Sequence, residues 1–324
     1  MRMRGSVAAV AGVLLFGGVV SAQVQPDPGL LPYKAASGVS GNISSVGSDT
    51  LNNLMTFWAE QFARYYPNTR VQIEGKGSST APPALIGGTA QLGPMSREMK
   101  GSEIDQFEKK YGYKPVGLRT SVDALAVFVN KDNPIKCMSL SQVDAVFSKS
   151  RRRGAKADVT TWGQLGLTGE WAGKPVSLYG RNSASGTYGY FKEVALGKGD
   201  FKDTVKEQPG SSNVVQGVAS DKFGIGYSGI GYKTADVVAV PLAADEGSGT
   251  IHPLPEYAND YPLARFLYLY VNARPGTPLD PLRREFIKYV FAQEGQREVV
   301  KDGYLPVSTR IATEDQRLVG IAAR

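Results

Sequence analysis

Leu51, Leu54, Met55, Trp58, Phe62 and Tyr65 recur at helical spacing, which predicts a helix with one buried face over residues 51–65, closed by Pro67-Asn68. On either side the period changes. Residues 43–46 form a short strand, and residues 70–74 alternate with Val71 and Ile73 on one face. A helix follows that tolerates Pro82 and Pro83 because they fall in its first turn. Further helices are predicted over 102–111, 140–147, 191–196, 213–219, 280–291 and 294–302. Further strands are predicted over 91–97 (breaking into a loop), 122–130, 176–179, 224–228 and 262–272, the last rich in Leu, Tyr and Phe. Trp58, Phe62, Phe266, Tyr268 and Tyr270 sit at core spacing. Residues 23–38 hold several Pro and Gly and read as a loose leader.

The alternation of strands and helices implies an α/β sheet protein, and 324 residues exceed one typical core, so two lobes are expected. The chain would cross between them near 122–130 and 237–242. This sets residues 39–128 with 239–324 as the first lobe and 129–238 as the second. Ahead of them, Arg2 and Arg4 precede an uncharged apolar run at 7–20 and small residues at Val20-Ser21-Ala22. That is the pattern of an export signal over residues 1–22, cleaved to leave Gln23 first. The run is too short to span a membrane comfortably, and no Cys follows it to carry a lipid. The product should be soluble and exported.

Composition changes this picture little. A net charge of +7, with no basic block longer than Arg151-Arg152-Arg153, lacks the long stripe a nucleic-acid groove would show. A single cysteine, Cys137, excludes an internal disulfide and reads as a small buried hydrophobe.

The candidate chemistry lies in three turns of one kind, each a strand running through small polar residues into a helix. They are Gly47-Ser48-Asp49-Thr50-Leu51, Gly77-Ser78-Ser79-Thr80 and Arg181 to Tyr188. At such turns the first backbone N–H groups of the helix lack partners and the dipole is positive. Ser185 and Thr187 add hydroxyls, Gly186 permits close approach and Arg181 adds a planar cation suited to an oxyanion. Each turn alone could be a capped helix start. Two on one lobe and one on the other describe a cleft lined by donors from both sides, with hinge closure around a ligand.

The motifs Ser45-Val46-Gly47-Ser48-Asp49-Thr50-Leu51, Gly77-Ser78-Ser79-Thr80, Gly93-Pro94-Met95-Ser96-Arg97 and Gly180 to Phe191 together resemble the phosphate-specific substrate-binding protein of the bacterial phosphate ABC transporter. The likeness runs over about 38–306. It implies a two-lobed type II periplasmic binding fold that buries inorganic phosphate and passes it to a membrane permease, as a monomer, without cofactor or catalysis. By position it implies ligand donors from Thr50 and the backbone of Leu51, from Ser78, Arg181, Ser185, Gly186 and Thr187, with Ser48 in the same turn. One departure stands out. Many members of that family carry an Asp, which accepts the ligand's proton and repels sulfate, where this chain has Ser96. Asp49 either supplies that carboxylate or only caps its helix. Arg97 is a second cation beside the cleft or a structural one.

Other classes fit less well. A Ser–His–acid hydrolase would have to use His252, the single histidine, and no G-x-S-x-G turn is present. A metal-dependent phosphatase needs several converging His, Asp or Cys ligands. A secreted phosphate scavenger or surface adhesin of the same fold is the remaining alternative.

Overall fold

The computed structural model describes residues 24–245, 247–253 and 260–322. The expected export signal lies outside them. The chain opens with β1 (Gly41–Val46), a 3₁₀ turn (Asp49–Leu51) and α1 (Asn52–Tyr65), then β2 (Thr69–Glu74), α2 (Ala81–Gly87), β3 (Leu92–Met95), α3 (Gly101–Tyr111) and β4 (Val116–Ala124). It continues through β5 (Ala126–Asn130), β6 (Met138–Ser139), α4 (Leu140–Phe147), β7 (Ser177–Arg181), α5 (Gly186–Val194), β8 (Lys206–Gln208), α6 (Ser211–Ser220), β9 (Gly224–Ser228), β10 (Val237–Ala239) and β11 (Leu242–Ala243). It ends with β12 (Ala264–Val271), α7 (Pro281–Val290), α8 (Gln293–Lys301), β13 (Leu305–Pro306) and α9 (Thr309–Leu318).

Two main sheets and a two-stranded pair, β11-β6, divide the strands. The first has the order β13-β4-β12-β3-β1-β2 and the second β10-β5-β9-β7-β8. Parallel pairs β1–β2 and β7–β9 carry the strand-to-helix turns, and antiparallel β12 closes the first sheet against β3 and β4. Leu54, Met55, Trp58 and Phe62 of α1 are fully buried, as the helical spacing requires. In β5 and β9 every residue is buried, the mark of central strands covered on both faces.

Several expectations need correction. The apolar run 122–130 is two strands. It leaves the first sheet at Ala124 and enters the second at Ala126, so the crossing is at Leu125 rather than after residue 128. Residues 237–242 do not carry the chain back. Val237–Ala239 pair with β5, and Leu242 with Met138 of β6, so the return follows Ala243. The leader is not loose where it is described. Leu30 and Tyr33 are buried, the Tyr33 hydroxyl donates to Glu285, and its amide donates to Glu294. The helix expected from 191 begins at Gly186, because Ser185 caps it. Phe266 and Tyr268 are only half-buried; Tyr268 packs against a second small core cluster with Met95, Phe107 and Tyr270, and Phe266 joins neither cluster. Cys137 is exposed. Among the described residues no helix is long and apolar enough to cross a membrane.

Candidate functional site

The first turn is tied down before it offers anything to a ligand. The Gly47 amide donates to Glu74 and that of Ser48 to Pro94, which hold the turn against β2 and β3. Behind it, the Tyr232 hydroxyl donates to the Asp49 carbonyl at 2.8 Å and the Tyr304 hydroxyl to the Thr50 carbonyl at 2.9 Å. Leu51 is fully buried, so only its backbone could face a ligand. Ser48 is 2% exposed, and its side chain makes no capping bond.

The second turn enters through Gly77, whose φ of 115° suits glycine. Space requires glycine there too, since a Cβ would stand 2.5 Å from the carbonyl oxygen of Ala184 in the other lobe. Ser78 Oγ accepts the Ser96 amide at 2.9 Å and lies 3.2 Å from Ser96 Oγ. The third turn is capped by Ser185 Oγ, which accepts the amides of Thr187 and Tyr188 at 3.1 and 3.4 Å.

The three turns meet. Thr187 Oγ1 lies 2.9 Å from Thr50 Oγ1 and 3.5 Å from Ser96 Oγ. The Ser79 amide donates to the Ala184 carbonyl across the lobes at 3.1 Å. Thr50, Ser78, Ser96, Ser185 and Thr187 are each at most 3% exposed. A Cβ on Gly186 would come within 2.7 Å of Ser96 Oγ and nearer still to Ser78 Oγ, so the absence of a side chain there lets the lobes approach.

Arg181 is 1% exposed at the end of β7. It donates to Ser211 Oγ at 2.7 Å and to the Pro209 carbonyl at 3.1 Å, and its Nη1 lies 3.3 Å from Asp49 Oδ2. Its buried Nε has no partner among the described residues. Burial pushes the guanidinium pKa down, and the Asp49 carboxylate opposes that. Asp49 Oδ2 also accepts the Ser211 amide at 2.7 Å at the start of α6. Asp49 therefore faces Arg181 and a helix start in the other lobe, with no hydrogen bond to the hydroxyl cluster. Arg97 is clasped by Glu103 at 2.7 and 2.8 Å and donates to Ser79 Oγ of the second turn at 3.3 Å.

Sequence reasoning missed a second buried charge pair. Arg265 of β12 donates to Asp123 of β4 at 2.8 Å, to the Ser96 carbonyl at 2.8 Å and to Thr187 Oγ1 at 2.9 Å. The signal was available: Arg265 is the lone charge of β12 and Asp123 the lone charge of the apolar run 122–130, and such charges are rarely buried without a partner. The supporting Ser211, Tyr232 and Tyr304 gave no comparable sign. His252 is exposed in the segment after β11. Among the described residues no three His, Cys, Asp or Glu side chains gather as a metal site would require.

Hydroxyls and amides converging where water is excluded can replace the hydration of a small oxyanion, which without such partners would be costly to bury. The same chain is similar to known proteins throughout. A PBP superfamily domain matches residues 33–294. The phosphate-binding protein PstS of Pseudomonas aeruginosa is 57% identical over 323 residues, covering 99% of this chain and 100% of the relative. PstS of Bacillus subtilis is 26% identical over 87% of this chain and 86% of its own. In fold, an ABC-type phosphate transport receptor from Vibrio cholerae superposes with a TM-score of 0.63 at 22% identity, over 82% of this chain and all of the other.

Proposed function

Because this chain belongs to the PBP superfamily, in the family of the phosphate-binding protein PstS, we infer that it binds inorganic phosphate and delivers it to an ABC transporter. The observation that carries the reading at the level of residues is the meeting of Thr50, Ser96 and Thr187 hydroxyls from both lobes within hydrogen-bond distance. Thr50, Ser78, Ser96, Ser185 and Thr187 would surround the ligand with hydroxyls. Leu51 and Gly186 would contribute backbone, and Arg181 the cation. Ser48 and Asp49 shape the first turn, Asp49 by pairing with Arg181.

The relatives are binding proteins, which supports reading this chain as a carrier rather than a catalyst. Export to the periplasm with cleavage after Ala22, a monomeric state and handover to a membrane permease complete the reading. The charged start and apolar run of residues 1–20 support the first of these. Calorimetry of the ligand-stripped protein with phosphate, sulfate and arsenate tests the function directly. Tight, saturable heat with phosphate and little with sulfate is expected; no heat with phosphate refutes it.

A further inference from the structure

Arg265 and Asp123 form an ion pair with side chains 3% and 0% exposed, where the neighbouring residues Ala124, Leu125, Leu263 and Leu267 are core. Taking two charges out of water costs several kcal/mol each, and an apolar pair of the same volume would stabilise the fold at least as well. What the pair touches gives it another purpose. Both residues are rooted in the first sheet, yet each holds an atom of the second lobe. Asp123 Oδ1 accepts the Ile230 amide at 3.0 Å, and Arg265 Nη2 donates to Thr187 Oγ1 at 2.9 Å.

The second contact has a fixed direction. A guanidinium can only donate, so Thr187 Oγ1 accepts from Arg265 and must give its own proton elsewhere. Around it stand Thr50 Oγ1, Ser96 Oγ and whatever anion the cluster holds. A hydroxyl free to turn would also point its proton at an anion, but only by giving up its rotational freedom on binding; here the bond from Arg265 fixes that orientation beforehand.

We propose that Arg265, oriented by Asp123, is a positioning residue of the anion site: it sets Thr187 as a proton donor toward bound phosphate and, with Asp123, ties the two lobes together in the closed arrangement. This rests on the reading that the hydroxyl cluster holds phosphate.

A double-mutant cycle tests it, with phosphate dissociation constants measured by calorimetry on the stripped protein and unfolding midpoints measured without ligand. Arg265→Gln and Thr187→Val should each weaken binding roughly tenfold to a hundredfold. The double variant should bind within about threefold of Thr187→Val alone, because Arg265 acts through that hydroxyl. An Arg265→Gln variant with parental affinity overturns the proposal, as does a double variant whose loss is the product of the two single losses. Should Arg265→Gln fail to fold with Asp123 left unpaired, the neutral pair Asp123→Asn/Arg265→Gln is measured instead. The same weakening is expected, and parental affinity overturns the proposal. A parental protein that gives no heat with phosphate would overturn the phosphate reading itself. Parental binding with an unaffected Arg265 variant overturns this proposal alone.

Discussion

Thr50 and Thr187 bring their hydroxyl oxygens to 2.9 Å although 137 residues separate them and they belong to different lobes. The approach is set by Gly186, where a side chain would strike Ser96 and Ser78. Gly186→Ala is therefore expected to hold the lobes apart. Phosphate affinity should fall by at least about tenfold, the scale of overpacking a tight contact, while the unfolding midpoint without ligand stays near the parental one. Small-angle scattering should show the variant failing to become more compact when phosphate is added. Parental affinity would mean that the lobes do not close on this residue.

Arg181 is the cation that the reading places against the ligand. Replacement by Gln removes the charge and ends the side chain short of Ser211 and Pro209, which Arg181 reaches through its terminal nitrogens. Truncating one partner of a buried, hydrogen-bonded charge pair costs roughly 2–5 kcal/mol, so phosphate should bind at least about thirtyfold more weakly. An unchanged dissociation constant would remove Arg181 from the site.

Selectivity should rest on Ser96 rather than on Asp49. Ser78 Oγ accepts the Ser96 amide, Ser185 Oγ accepts two amides and Thr187 Oγ1 accepts from Arg265, so these three hydroxyls have their protons to give. Ser96 Oγ has only hydroxyl neighbours and can accept. Phosphate at neutral pH still carries a proton and sulfate does not. Ser96→Ala should narrow the phosphate-to-sulfate ratio in a competition assay. Asp49→Ala should weaken both anions in proportion, through Arg181 and the start of α6. The reverse pattern would return the proton-accepting role to Asp49.

Asp302, 8% exposed with one carboxylate oxygen unpartnered, has its pKa pushed up to about 7 by burial, with Asp123 adding to the effect. The unfolded chain releases this proton near 3.8. Between those values the folded state retains a proton that the unfolded state has lost. This contribution to stability is fully present below about pH 4 and is lost as pH rises through about 7. Asp302→Asn should be more stable than the parent at pH 8, by up to a few kcal/mol, with the gap closing toward pH 4. Denaturant titrations at both pH values check this; a gap that does not depend on pH would exclude the buried carboxyl as its cause.

The legible parts of the fold were those dictated locally. The apolar face of α1 and the turns at 47–51, 77–80 and 181–188 follow from spacing and small-residue chemistry within a few positions. Distant partners decided the rest. Residues 122–130 read as one strand because both halves are apolar, and only pairing to different sheets breaks them at Leu125. Helix α9 went unseen because it buries little beyond Ala312 and Asp315, the latter paired with Arg119 from a strand far away in sequence. Arg265 and Asp123 lie 142 residues apart, and nothing near either names the other. The leader looked loose because its Pro and Gly content hid Tyr33, whose partners are Tyr66 just past α1 and Glu285 in α7.

Burial of the hydroxyl cluster has a kinetic consequence. With every contributing side chain at most 3% exposed, an ion held there cannot leave along any static channel. Its escape can be no faster than the separation of Gly77 from Ala184, a domain motion of microseconds to milliseconds at the fastest. Whatever receives the cargo need not outcompete the site for it. Prying that seam open dismantles the donor set and releases the ion in one event.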